Sequence, residues 1–437
     1  MIKSAKKILI YVLLFVSTVA ILLAALVGVA KIPREAIREN MRESAEYLCE
    51  RGASPFFQPI EGVHGIGLDT YADSVLLGII WQLDEKKPLE SPIWASYYME
   101  PEENANVSLK AAVENDFIGT KQYLRYWHGS IVPVKIMHLF WNLKQIYIFH
   151  ALLMLGLFIW IIASFFKNKL HSLAWAFIVG LIAVNIWFVP FCLEYTWMFF
   201  LMLIISIAGF FMEKKGCDDF CFGLLFLLAG ILAAYLDFLT TETITISVPL
   251  LIVSYMRISR SGKDGKLWAF IIKNCLAWGV GYLGMWASKW LIASFVLQEN
   301  ALIYVSDHIG ERLSGDMGKS FNPLIFVISA IYMNIRCIFP FGYGTAGFLA
   351  GLLLIFVTAY FAFVYKKKGF RLKRYLPLLF LGAIPFLRYM VVHNHAYIHA
   401  FFTYRAQIVS ISAVFLIVID SIKWDSLKRD FFVKKRP

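Results

Sequence analysis

The sequence predicts an all-α polytopic membrane protein, a bundle of about ten transmembrane helices with a large extracytoplasmic first loop. Three observations lead to the membrane class. Of 437 residues, 59% are apolar and 16% charged, against about 45–50% and about 25% in soluble chains. The mean hydropathy is +0.65. The formal net charge of +12 comes from lysines and arginines set in short runs between apolar stretches, the pattern of membrane topology. Disordered, disulfide-stapled and soluble globular classes are excluded. No nucleic-acid partner is expected, and the lipid bilayer is.

A span needs about 20 apolar residues. Residues 8–30 supply the first, with Lys3, Lys6 and Lys7 before it and Lys31 and Arg34 after it. The run exceeds the about 7–15 residues of a signal-peptide core, so residues 1–30 read as an uncleaved anchor. Residues 31–144 are mixed in charge and polar, and read as an extracytoplasmic loop with amphipathic helices. Spans near 145–166, 172–190, 196–212, 220–237, 239–256 and 267–297 make a transmembrane block over 145–297. Residues 298–344 form a second outer loop. Its apolar stretch 321–340 is broken by Arg336 and flanked by prolines, and a re-entrant or interfacial helix is expected there. Spans near 345–365, 375–392 and 406–422 follow, and 423–437 is a basic cytoplasmic tail.

The positive-inside rule supports this layout. Lys167, Lys169, Lys214, Lys215, Arg257, Arg260, Lys263, Lys266 and the run Lys366 to Arg374 fall in proposed cytoplasmic loops, with Lys434, Lys435 and Arg436 in the tail. The short outer turns near Glu194 and Asp237 carry no Lys or Arg. Both termini are therefore expected in the cytoplasm and the large first loop outside. The six cysteines have no metal or disulfide spacing and read as small buried hydrophobes.

Ionisable residues that are not topology signals gather at the outer face, including His64, His128, His308, His393, His395 and His399. Such a cluster is a functional-site hypothesis by default. Asp69 and Asp73 in Gly67-Leu68-Asp69-Thr70-Tyr71-Ala72-Asp73-Ser74 are four residues apart and share a helix face. Paired carboxylates raise one pKa, which suits a general base. Asp69 is equally well placed as a helix N-cap, so the expectation leans to Asp73, with a solvated helix face as its plain alternative. Tyr123 to Ser130 brings Arg125 and His128, which suit a phosphate, to what is otherwise an aromatic belt. Arg388, and then His393 to Arg405 with His395, His399 and Tyr404, place two arginines and three histidines near the last outer turn. Arg is suited to bidentate phosphate contact. His395 and His399 are spaced for zinc, but no further ligand completes a site. Glu194, Asp237 and Tyr71 are candidates for a sugar or acceptor pocket, or mere turn residues. In the second outer loop, Asp307, His308, Glu311, Arg312 and Asp316 could belong to a lid.

With these motifs the chain resembles the GT-C superfamily, integral membrane glycosyltransferases that use polyprenyl-phosphate sugars. It is most similar to a Gram-positive bacterial group whose pattern reads L-D-N-Y-T-D-x-x-M-L, then R-Y-W-H-G, then N-H-S-Y-I-H-x-F-F-T-Y-R. Here the first motif is Leu68 to Leu77, with Thr70, Ala72 and Leu76 departing from it. The second is Arg125 to Gly129, complete, and the third is Asn394 to Arg405, with Ala396 departing. The resemblance implies an inverting transfer of a hexose or pentose from a polyprenyl-phosphate donor in the outer leaflet to an extracytoplasmic acceptor: a cell-envelope polymer, glycolipid or protein. It implies Asp73 or Asp69 as base and Arg405, Arg388, His395, His399 and Arg125 as a cradle for the leaving phosphate. A divalent metal is compatible with the superfamily, but no ligand set stands out. A transporter or flippase of a lipid-linked or anionic substrate is the competing reading. It predicts inverted repeats and polar residues at the midplane, and the sequence offers neither.

Overall fold

The computed structural model describes residues 2–52, 67–261, 266–303, 305–306 and 322–432. His64, Gly65, Lys263, Asp307, His308, Glu311, Arg312, Asp316, Lys434, Lys435 and Arg436 lie outside the described residues, so the expectations placed on them do too.

Within lipid every backbone N–H and C=O must be bonded inside the protein, and a helix does this locally. The chain is accordingly almost all helix. In order come α1 (Ile2–Ala30), α2 (Arg38–Arg51), α3 (Thr70–Trp81), α4 (Glu90–Trp94), β1 (Ser96–Tyr97), α5 (Ala105–Asn115), β2 (Lys121–Gln122), α6 (Ile131–His138), α7 (Leu143–Lys167) and α8 (His171–Ala183). Then follow α9 (Leu193–Lys215), α10 (Asp219–Leu236), α11 (Ile244–Ser261), α12 (Leu267–Leu297), α13 (Pro323–Arg336) and α14 (Gly344–Val364). The chain closes with α15 (Leu376–Val391), α16 (His393–Ile398), α17 (Ala400–Thr403), α18 (Ile408–Ser421) and α19 (Trp424–Phe432). Among the described residues, eight helical stretches are long and apolar enough to cross a membrane: Ala5–Ala30, Leu143–Lys167, Leu193–Lys215, Asp219–Leu236, Leu267–Leu297, Gly344–Val364, Leu372–Val391 and Ala400–Ser421. The chain is an all-α, multi-pass membrane protein.

Two of the ten expected spans take another form. The apolar run 172–190 is helical only to Ala183. Asn185 adopts a left-handed conformation (φ 53°), and a 3-10 turn, Ile186–Phe191, carries Pro190. The run 239–256 enters its helix late, at Ile244, because Asp237 holds Thr240 through its backbone N–H at 3.1 Å and its hydroxyl at 2.5 Å. Residues 244–256 of α11 are buried, enclosed by α9, α15 and α18. A helix with no lipid to face tolerates Thr245, Ser247 and Ser254. The stretch 321–340 contains α13, whose 14 residues rise about 21 Å, short of the about 30 Å hydrocarbon core.

The polar segment forms a helical cap. Trp81 Nε1 donates to Ala112 O at 3.1 Å, Ser74 Oγ to Asn106 Oδ1 at 2.9 Å, and Asn106 Nδ2 to Leu48 O at 2.7 Å. These bonds tie α2, α3 and α5 around Met41, Leu48, Leu77, Trp81 and Leu109. That core runs on into Leu26 of α1, Leu227 and Ile231 of α10 and Met285 of α12. The antiparallel pair β1–β2 (Ser96 with Gln122, Tyr97 with Lys121) braces it. Contrary to the expectation of an amphipathic helix, α3 is buried over ten of its twelve residues. Helices α10 and α12 approach closely at Gly230 and Gly281, where a Cβ would collide with the backbone carbonyl of Trp278 or of Leu227. Small residues are what permit such contact between membrane helices. Of the six cysteines only Cys192 and Cys337 are buried; Cys221 is exposed.

Candidate active site

The first motif docks against the start of α9. Asp69 is the N-cap of α3, its carboxylate accepting Ala72 N–H at 2.9 Å. One turn on, Asp73 is fully buried. Its Oδ2 accepts Leu193 N–H at 3.0 Å and the Tyr147 hydroxyl, and its Oδ1 accepts Glu194 N–H at 3.3 Å. These N–H groups open α9, which has no side-chain cap of its own. Asp73 therefore caps α9 from a different helix, its carboxyl oxygens set at a positive dipole end. Tyr195 OH adds a 3.3 Å bond to Gly67 O. The outcome is that Glu194 is brought against Asp69.

The Asp69 and Glu194 carboxyls lie close enough to influence one another. Both line a cavity of about 370 Å³, together with Tyr71, Arg125, His128, His395 and His399. Its apolar walls include Val75, Leu76, Ile79, Phe238, Phe402, Tyr97 and Tyr123, and Gln122 adds a further polar group. Burial, its largest cause, raises the Asp69 pKa, while the Ala72 N–H bond and Glu194 oppose that rise. Glu194 Oε2 and His128 Nδ1 have no hydrogen-bond partner among the described residues.

The second motif supplies the opposite wall. The Arg125 guanidinium lies 4.5 Å over the Tyr123 ring and 5.3 Å over Tyr126, and its Nη2 donates to Tyr123 OH at 3.1 Å. His128 sits in the left-handed region (φ 53°), which turns its ring back under Tyr123. His128 Nε2 is 2.7 Å from Tyr123 O. A carbonyl only accepts, so Nε2 carries the proton and Nδ1 presents a lone pair. Burial pulls the His128 pKa down to about 3, leaving a neutral ring. The third motif contributes His395 and His399, whose rings are 4.6 Å apart, with His399 stacked on Phe402 at 5.1 Å. Asn334 of α13 fixes this turn by donating to Ala396 O at 2.8 Å.

Of the residues expected at the site, Asp69, Tyr71, Arg125, His128, Glu194, His395 and His399 converge on the one cavity. Asp73 does not line it, and its solvated-face alternative fails because the side chain is wholly enclosed. Burial pushes the Asp73 carboxyl up to about 7. Arg405 is buried between the rings of Tyr195 (4.5 Å) and Tyr404 (4.9 Å), with Nη1 donating to Phe401 O at 3.0 Å. Tyr404 OH donates to Val184 O at 3.0 Å and receives Asn185 Nδ2 at 3.1 Å. Both belong to the packing of α8 and α18, away from the cavity lining. Arg388 is buried in an ion pair with Glu242, Nε to Oε1 2.6 Å, and also donates to Leu239 O. Asp237 belongs to that neighbouring cluster, one residue from the cavity-lining Phe238. Sequence reasoning missed the pairing of Glu194 with Asp69 and the role of Tyr147. The first was signalled by an isolated acid at an apolar turn; Tyr147 carried no signal, being one aromatic in a lipid-length run.

No group of three or more His, Cys, Asp or Glu side chains arranged to hold a metal ion occurs among the described residues, so no step is routed through one. Comparison with protein-family models, curated proteins and solved structures returns no match to this chain.

Proposed function

We propose that the protein is an inverting GT-C-type glycosyltransferase that moves a sugar from a polyprenyl-phosphate donor to an extracytoplasmic acceptor, with Asp69 as general base. The observation that carries this is the pairing of the Asp69 and Glu194 carboxyls in a cavity whose polar lining also includes Gln122, Arg125, His128, His395 and His399. In this reading an acceptor hydroxyl attacks C1 of the sugar. The new O–C1 bond forms as the C1–O bond to phosphate breaks on the opposite face. The hydroxyl proton passes to the Asp69 carboxylate, whose charged form the Ala72 N–H and Glu194 support. Arg125 and the N–H groups of His395 and His399 receive the charge that develops on the leaving polyprenyl phosphate. The His128 Nδ1 lone pair accepts a sugar hydroxyl, and Tyr71, at the rim, packs against the sugar ring. The topology rule places this cavity on the extracytoplasmic side, with both termini in the cytoplasm.

The test is release of polyprenyl phosphate by the purified protein in nanodiscs, given a panel of polyprenyl-phosphate hexoses and pentoses. Turnover that is lost in Asp69→Asn with unchanged melting supports the proposal. Absence of both turnover and saturable binding of every polyprenyl phosphate overturns it and favours the transporter reading, for which flux of a lipid-linked substrate is then the assay.

A further inference from the structure

The run Lys366 to Arg374 reads in the sequence as a topology signal, a role that requires only that the charges lie on one side of the membrane. The fold does more with them. Lys367 N–H donates to Ser421 O at 2.7 Å and Lys423 N–H to Tyr365 O at 2.7 Å. Lys366 and Ile422 thereby form an antiparallel bridge. The loop is clamped to the end of α18, and Phe370 stacks on Tyr375 at 5.3 Å. Held in this way, Lys367, Lys368, Arg371, Lys373 and Arg374 line one concave pocket of about 760 Å³. The pocket has one acid, Asp420, and its carboxylate is engaged by the hydroxyls of Tyr255 (3.1 Å) and Tyr375 (2.9 Å). None of the five cations has a carboxylate partner in an ion pair among the described residues. Converging five like charges on a fixed loop costs self-repulsion that a dispersed topology signal avoids.

We infer that this pocket is a binding site for a phosphate-bearing anion. Arginine offers phosphate a planar fork and lysine a compact point charge, and the pocket holds both. It lies where α14 and α18, both apolar, end, at the level of lipid headgroups. The same chemistry is offered by an anionic phospholipid headgroup and by a soluble polyphosphate. The pocket is separate from the Asp69 cavity, so this inference stands or falls without the proposed function.

The full-length protein in detergent is titrated with phosphatidylglycerol, with phosphatidylcholine and with tripolyphosphate, and binding is read by native mass spectrometry and by melting temperature. Lys368→Gln/Arg371→Gln is compared with charge-preserving Lys368→Arg/Arg371→Lys and with the distant pair Lys214→Gln/Lys215→Gln. The neutralised pocket is expected to bind about thirty-fold more weakly, about fivefold per cation. The other two variants should match wild type. Saturable binding of phosphatidylglycerol alone identifies a lipid headgroup, and binding of tripolyphosphate alone identifies a soluble ligand. Equal weakening in the Lys214/Lys215 variant, or no saturable binding of either anion by wild type, overturns the inference. The charge-preserving variant separates loss of binding from loss of fold.

Discussion

Asp69→Asn and Asp73→Asn should fail in opposite ways, although the residues are one helical turn apart. Asp73 presents only acceptors, to Tyr147 OH and Leu193 N–H on one oxygen and Glu194 N–H on the other. An asparagine can keep the first oxygen, but its amide then faces the Glu194 N–H, donor against donor. Leaving a buried donor unsatisfied costs about 1–3 kcal/mol. At about 2–4 °C per kcal/mol for large domains this is a drop of about 2–12 °C in melting temperature. Asp69→Asn keeps its cap, since Asn and Asp serve about equally at an N-cap, and should melt like wild type. It should lose about 10²–10⁴-fold in turnover, the usual share of a general base. The assay is tryptophan-fluorescence melting of the detergent-solubilised chain, paired with polyprenyl-phosphate release per folded molecule. Asp73→Asn that melts like wild type but is inactive, with Asp69→Asn still active, refutes the assignment of Asp69 as base.

The Asp73 carboxyl also sets a pH dependence. Burial holds it at about 7, against about 3.9 in an unfolded chain. The folded state therefore binds its proton more tightly. The stability this contributes is fully present below about pH 4 and is lost as pH rises through about 7. Melting temperature should fall across that window in wild type and fall less in Asp73→Asn. For turnover, the acid limb should lie above the ordinary carboxylate range because burial raises the Asp69 pKa; Glu194→Ala removes an interaction that opposes that rise and should move that limb to higher pH, while Glu194→Gln, which can donate a hydrogen bond, should restore it. Arg125→Lys keeps the charge but not the planar fork over Tyr123 and should raise KM for the donor about tenfold with a smaller change in kcat. Arg388→Met strands Glu242 unpaired and buried and should destabilise by about 3–5 kcal/mol, read as lower yield and melting temperature; the double variant with Glu242→Met should recover much of that loss.

What the sequence disclosed and what it withheld follow from how far each signal reaches along the chain. Lipid-length apolar runs are local, so α1, α7, α9, α10, α12 and α14 are legible directly. The run 172–190 misleads because hydropathy does not register conformation: Asn185 and Pro190 are few enough to leave the average high, yet they divide the helix. The cavity was half legible for the same reason. Three motifs far apart in sequence could be assigned to one membrane face by topology, and Asp69, Tyr71, Arg125, His128, His395 and His399 do meet, joined by Glu194 from outside them. Face alone does not say which side chains point inward. Arg405 and Arg388 turn to Tyr195 and to Glu242, partners 210 and 146 residues away by their numbering. The two aspartates show the limit most sharply. A spacing of four residues puts them on one face of α3, and from that alone the residue with no capping duty is the better base. The proposed function takes Asp69 instead, because α9 reaches α3 with its N–H groups bare and Asp73 accepts them. Asp69 is capped to α3 by one oxygen and set beside Glu194, and it is the aspartate the cavity reaches. The duty that seemed to excuse Asp69 from chemistry is the one that holds its carboxylate still at the cavity wall.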